Sequence, residues 1–229
     1  MKDALYVIAR APRAGFAKTR LGRTLGHEGA VSLYRAFLRD LSMRFSESAF
    51  SPGWYVTPPD AWPEISALTG ESERVILQGD GDLTERQREL FQGARSRGEE
   101  RVVLIASDSP HLGVEVVEEA FRRLDNNDLV FGPTFDGGYY LIGMRGYHDV
   151  LDGVPMSVGT ELERITARAR LTGLSVGLLE STFDIDIVED LQHLLPLALE
   201  RPDLQATRDA LESLGLIEQT STSVGGERS

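Results

Sequence analysis

Short apolar runs alternate with amphipathic stretches from the start of the chain. Residues 5–9 are an apolar run of strand length. Val31, Tyr34, Phe37, Leu38, Leu41 and Phe45 then recur at helical spacing, and residues 54–56 and 75–77 read as short strands. Residues 83–94 and 114–124 are amphipathic, the second with Val114, Val117, Phe121 and Leu124 on one face. Val102, Val103, Leu104, Ile105 and Ala106 are apolar without interruption, the pattern of a strand buried on both sides. Residues 129–131 and 139–142 bracket Asp136-Gly137-Gly138, a hairpin signal. Residues 162–171 read as a helix, 174–179 as a strand, 187–199 as a helix interrupted at Pro196, and 204–214 as a last helix stopping near Gly215.

Alternation of this kind predicts an α/β fold: a three-layer sandwich with a mostly parallel central sheet flanked by helices. Residues 1–217 are expected to form a single domain. Residues 218–229, nearly devoid of apolar side chains, are expected to be a flexible tail. The stretch from Arg10 to about Gly26, rich in Arg, Pro and Gly, reads as a loop.

Composition narrows the function. The 229 residues carry 36 acidic against 24 basic side chains, a formal charge of −12, which argues against general nucleic-acid binding. There is no cysteine, so disulfides, thiolate metal sites and cysteine nucleophiles are excluded. No run has the length of an apolar membrane span, and the N-terminus lacks the three-part form of a signal peptide. A cytoplasmic enzyme fits these features. His27, His111, His148 and His193 show no metal-ligand spacing and read as surface or core positions.

Against that acidic background the loop after the first strand is unusual. It gathers Arg13, Lys18, Arg20 and Arg23 beside Gly15 and Gly22, so cations stand where the backbone can approach a ligand closely. It is not a Walker A loop, since Gly and Lys are not adjacent. Asp108, in Ser107-Asp108-Ser109-Pro110, follows the buried strand, and ligands of open α/β sheets gather at such strand ends. Asp184 and Asp186 follow a second β-like run. Carboxylates at two strand ends can converge on one divalent cation, Mg²⁺ or Mn²⁺, and such cations commonly hold phosphates. Taken singly, these acids are equally ordinary helix caps or turn formers. The stretch Gln78 to Arg86 offers contacts to a nucleotide or acceptor, or merely a cap from Asp82 or Thr84. Asp136, Gly137, Gly138 and Tyr139 form a tight turn with room for an acceptor.

In order, the segments A-R-A-P-x-x-G-x-x-K-T-R-L, G-D-G-D-L-x-E-R, S-D-S-P, G-P-x-x-D-G-G-Y-Y-L-I-G and D-I-D-x-x-E-D-L resemble one bacterial family across residues 5–195. It is the family described as radical-SAM/selenodomain-associated transferase 1, also called arsenosugar-biosynthesis glycosyltransferases. It looks like a branch of the nucleotide-diphospho-sugar transferase (GT-A) superfamily, which includes 2-phospholactate guanylyltransferase. The resemblance implies that fold, Asp108 and Asp186 as metal ligands, and Lys18 and Arg20 as phosphate-binding and catalytic residues with Asp108. The residues expected to make the nucleotide site are Ala9, Arg13, Gly15, Lys18, Arg20 and Gln78, and those of the acceptor site are Asp136, Gly137, Gly138 and Tyr139. Thr84 stands where the family usually has Gly, and Met156-Ser157 where a Trp-Ser pair is common. The partners expected are a nucleotide donor and a small-molecule acceptor, with neither nucleic acid nor membrane. Nucleotidyl transfer, glycosyl transfer and non-catalytic nucleotide binding all remain open at this point.

Overall fold

In a computed structural model the described residues are 2–46 and 48–218, so residues 219–229 of the expected tail lie outside them. One seven-stranded sheet organises the chain. Its strands are β1 (Asp3–Arg10), β2 (Gly53–Thr57), β3 (Val75–Leu77), β4 (Arg101–Ala106), β5 (Leu129–Pro133), β6 (Tyr139–Arg145) and β7 (Val176–Leu178). They lie in the order β3-β2-β1-β4-β6-β5-β7, and every pairing is parallel except those of β6. The helices are α1 (Thr19–Leu25), α2 (His27–Ser46), α3 (Trp62–Thr69), α4 (Leu83–Gly93), α5 (Val114–Arg123), α6 (Glu161–Leu171), α7 (Leu191–Glu200) and α8 (Gln205–Ser213).

Strand alternation explains the layers. Leu5, Val7 and Ala9 of β1 and Val103 and Ile105 of β4 join one core, with Phe37 and Leu41 of α2. Ala4, Tyr6, Val102 and Leu104 point the other way into a second core, with Leu90 and Phe91 of α4 and Ile165 of α6. The α/β expectation holds, as do the seven strands to within a few residues. Three details differ. Thr19–Leu25 is a helix rather than loop, α3 was not foreseen, and α7 runs through Pro196 instead of breaking there.

Two arrangements matter for function. Antiparallel β6 pairs Ile105 with Leu141, so its first residues arrive at the edge where β1 and β4 end. Residues 182–185 are then laid alongside both halves of that edge. Thr182 donates to the Pro133 carbonyl (3.0 Å) and Ile185 N–H to the Asp108 carbonyl (3.0 Å). Arg44 of α2 secures the loop after Asp108, donating to the carbonyls of Pro110 (2.6 Å) and Leu112 (2.8 Å).

His111, on that loop, is a core residue. Its ring stacks on Phe183 at 4.0 Å, and Nε2 meets the Thr182 hydroxyl at 2.9 Å. Burial, with the charges of Arg201 and Arg44, pushes its pKa from 6.5 down to about 4. Between those values the unfolded chain takes up a proton that the native state refuses. Stability from this residue is therefore present above 6.5 and lost as pH falls toward 4. From pH 7 to 4.5 the loss amounts to roughly 2 kcal/mol at ~1.4 kcal/mol per unit. Urea melts at both pH values should show His111→Gln losing about that much less than the unaltered protein on acidification. An identical loss in both would refute the assignment.

Candidate active site

The strand-end acids and the basic loop converge. Lys18 caps α1 in the left-handed conformation, φ 51° and ψ 42°, a strained state that persists where the surroundings dictate it. Its side chain, 5% exposed, reaches Asp108 (Nζ–Oδ2 2.7 Å) and Asp186 (3.3 Å), and Nζ donates to the Ile185 carbonyl (2.6 Å). Arg20, in the first turn of α1, pairs with the other oxygen of Asp186. Asp190 accepts the N–H groups of Asp186 and Ile187, both at 2.8 Å, and so fixes the backbone that carries Asp186.

The charge balance is unusual. Burial would pull the Lys18 ammonium down, but Asp108 and Asp186 more than offset it, and its pKa lies above the ordinary value. Asp184 is pushed up to about 7, first by burial and then by the charges of Asp108, Asp186 and Asp136. The four carboxylates Asp108, Asp136, Asp184 and Asp186 thus outnumber the two cations, Lys18 and Arg20, that pair with them, an excess of negative charge that would favour a bound cation. Tyr34 of α2 backs the cluster, meeting the Ser107 hydroxyl at 2.9 Å and accepting the Arg10 N–H at 3.0 Å.

These groups line a cleft of about 600 Å³ along the strand ends. On the β2–β3 side it is walled by Thr57, Gln78 and Arg86, and Gln78 is held by its amide's bond to the Tyr55 carbonyl (2.8 Å). Arg86 stands 3.4 Å from both Thr57 Oγ1 and Gln78 Oε1, and its Nε is buried without a partner. Arg10 and Arg86 line the cleft with no carboxylate partner among the described residues. On the β6 side the wall is Thr134, Asp136, Gly138, Tyr139, Met156, Ser157 and Glu161. There Asp136 Oδ1 accepts from the Thr134 hydroxyl (2.5 Å) and the Gly138 N–H (3.1 Å).

Of the residues singled out from sequence, Lys18, Arg20, Gln78, Asp82, Asp108, Asp136, Gly138, Tyr139, Asp184 and Asp186 line this cleft. Others do not. Ala9 is buried in the core, its neighbours Ile8 and Arg10 facing the cleft instead. Gly15 has nothing within 4 Å of a would-be Cβ and lies outside the lining. Arg13 is turned to α3 and its approach, donating to Glu64 (2.7 Å) and Asp60 (3.0 Å). Gly137 opens onto a smaller adjoining cavity with Gly159 and Leu162. Asp82 lines the cleft and is also a cap: it accepts from the Glu85 N–H (2.9 Å) while the Glu85 side chain accepts from the Asp82 N–H (2.8 Å). Thr84 does not cap; its hydroxyl donates to the Val154 carbonyl (2.6 Å). Arg86, Gln87, Tyr34 and Glu161 are additions from the structure, and only Arg86 had a sequence signal, in the Gln78–Arg86 stretch.

The donor set suits a hard divalent cation shared with a substrate. Among the described residues no three His, Cys, Asp or Glu side chains form a complete cage. Asp108 and Asp186, whose carboxylates both reach the Lys18 ammonium, are the residues that could hold Mg²⁺, which takes one or two carboxylates and completes its shell with water and phosphate.

A sheet of this order, with a basic loop after β1 and acids after β4 and β7, defines a transferase of the nucleotide-diphospho-sugar transferase fold. A solved structure of a candidate nucleotide-diphospho-sugar transferase from Desulfovibrio desulfuricans G20 is 30% identical, with TM-score 0.82 over 93% of this chain and 97% of that one. The protein belongs to the family which that transferase represents. A family model described as an uncharacterized protein conserved in bacteria (DUF2064) matches residues 49–158. At the level of fold alone, a cytidylyltransferase from Leptospira borgpetersenii is similar, at 15% identity and TM-score 0.59 over 94% of each chain. So is a CMP:2-keto-3-deoxy-manno-octonic acid synthetase complexed with CTP, at 15% identity and TM-score 0.53 over 87% of this chain and 99% of that one. A sequence comparison with curated proteins gives no match. No described helix is long and apolar enough to cross a membrane.

Proposed function

We propose that the protein is a divalent-metal-dependent nucleotidyltransferase, moving a nucleotidyl group from a nucleoside triphosphate to a small phosphorylated or hydroxylated acceptor with release of pyrophosphate. The narrower family resembled by the sequence motifs, and the cytoplasm as its place of action, belong to the same proposal. The observation that carries it is the meeting of Lys18 and Arg20 with Asp108 and Asp186 at the end of β4. Mg²⁺ or Mn²⁺ held by Asp108 and Asp186 would supply charge neutralisation for the phosphates. Lys18, Arg20 and the unpaired Arg10 and Arg86 would hold the triphosphate and stabilise the charge of departing pyrophosphate, the main demand in phosphoryl-group chemistry. Gln78 and Thr57, on the same side, are placed to contact the rest of the nucleotide.

Glycosyl transfer from a nucleotide sugar is the second reading, favoured by the likeness to the 30% identical candidate nucleotide-diphospho-sugar transferase. Two features favour nucleotidyl transfer. A triphosphate calls for more cations than a sugar diphosphate, and Ser107-Asp108-Ser109 offers a single acid rather than a D-x-D pair. A thermal-shift comparison of the four nucleoside triphosphates with nucleotide sugars, in Mg²⁺ or Mn²⁺, separates the two. One triphosphate at about a hundred times its Kd should add ~2.7 kcal/mol, lost with chelator. Lys18→Ala should weaken the triphosphate more than any nucleotide sugar. Stabilisation by a nucleotide sugar alone would establish the second reading, and equal weakening of both ligands would remove the leaving-group role.

A further inference from the structure

The two walls of the cleft differ in charge. Its cations are Arg10 at the end of β1, Arg86 beside Thr57 and Gln78, and Lys18 and Arg20, already matched to Asp108 and Asp186. The β6 wall carries Asp136, Glu161 and the neighbouring Asp184, with no cation in its lining among the described residues. Glu161, the first residue of α6, is 4% exposed. One carboxylate oxygen accepts the Val158 N–H at 2.7 Å; the other is buried without a hydrogen-bond partner. An orphaned buried carboxylate oxygen is costly and calls for an explanation. Gln87, in the lining of the same cleft, is also buried, and accepts from the Tyr139 hydroxyl at 2.8 Å. Burial chiefly, and the Glu161 charge with it, holds that phenol protonated. Ser157, on the same wall, is kept in the left-handed region at φ 61°.

Resting on the nucleotidyl-transfer reading, we infer that the acceptor is a neutral polyhydroxyl compound, one hydroxyl of which donates to the unpartnered oxygen of Glu161. A phosphate ester on this wall would meet only like charges, whereas a hydroxyl supplies the missing donor. Glu161 also occupies the first turn of α6, so that helix end offers no free site for an anion. In the transfer, a second hydroxyl oxygen of the acceptor bonds to the α-phosphorus as that phosphorus parts from the pyrophosphate oxygen. The hydroxyl proton passes to a carboxylate of the cluster such as Asp136, and pyrophosphate leaves with the bonding pair.

The test measures pyrophosphate release with the triphosphate that gives the largest thermal shift. Glycerol, ribitol and glucose are compared with glycerol 3-phosphate, ribitol 5-phosphate and glucose 1-phosphate. At least one neutral compound should accelerate release, and each ester should do worse than its parent. Glu161→Gln should raise the KM of that neutral acceptor about tenfold and leave the KM of the triphosphate unchanged. An ester outperforming its parent, silence of all neutral compounds while the triphosphate still binds, or equal KM changes for both substrates overturns the inference. If the unaltered protein binds no triphosphate, the nucleotidyl-transfer reading itself falls and takes this inference with it.

Discussion

Asp108→Asn should lower transfer activity by about a thousandfold and abolish Mg²⁺-dependent nucleotide stabilisation while leaving the folded protein intact. Asparagine keeps the shape of the side chain but removes the charge that attracts a divalent cation, and losses of this size are typical when charge stabilisation is withdrawn from a reacting phosphate. Stability should respond differently. Breaking a buried ion pair ordinarily costs 3–5 kcal/mol or about that, because a charge is left alone. Here Lys18 keeps Asp186 at 3.3 Å and the Ile185 carbonyl at 2.6 Å. The change also removes one of the charges that, after burial, push Asp184 up to about 7. The ligand-free midpoint should therefore stay level or rise, a stability cost borne for function. Urea melts read beside pyrophosphate release decide the matter. Retained activity would remove Asp108 from the reaction, and a collapsed midpoint would make its role structural.

Why Asp108 and Asp186 were readable from sequence, and much of the cleft was not, follows from the range of the interactions. Val102 to Ala106 is apolar on both faces, so its strand and the position of Asp108 at its end follow from local pattern alone. Asp186 is less local: it lies beyond β7, and contacts distant in sequence, such as the Ile185 N–H bond to the Asp108 carbonyl (3.0 Å), bring it to the same edge. Helix α1 escaped because its only large apolar residues are Leu21 and Leu25, with Gly22 between them and arginines around. Helix α3 was masked by Pro58, Pro59 and Pro63. That omission explains the misplacement of Arg13: its partners Asp60 and Glu64 lie on this unforeseen element, and they draw the guanidinium away from the cleft. Glu161 falls just ahead of the helix expected at 162–171 and carries no signal of its own, and the fold sets it across the cleft from Gln78 and Arg86. Thr84 and Met156-Ser157, the two departures from the family motifs, look independent in sequence. The Thr84 hydroxyl, buried beside the cleft, bonds the Val154 carbonyl just ahead of Met156 and so ties α4 to the segment that carries Met156 and Ser157.

Gly137→Ala is expected to damage that wall most. Asp-Gly-Gly suggests a simple hairpin turn, but Gly137 sits at φ 95°, and a Cβ there would lie 2.1 Å from the Gly159 carbonyl oxygen. The obstacle is backbone, with the Gly159 carbonyl carbon at 2.7 Å as well, so no rotamer change can relieve it. Gly159 is itself at φ 75°, close to the Asp136 carbonyl, so the two turns touch backbone to backbone. A methyl group must push residues 157–161 away from residues 134–138, separating Ser157 and Glu161 from Asp136 and Tyr139. The overlap and the left-handed strain together should cost on the order of 3 kcal/mol. Displacing an acceptor wall by about 1 Å should lower turnover roughly a hundredfold, since misplacement on that scale spoils the attack geometry. Gly15→Ala is the control: at φ 73° with nothing within 4 Å, it should lose about 1 kcal/mol and no activity. Melts and acceptor kinetics on both variants give the comparison. If Gly137→Ala behaves like Gly15→Ala, the contact between the turns does not hold the acceptor wall.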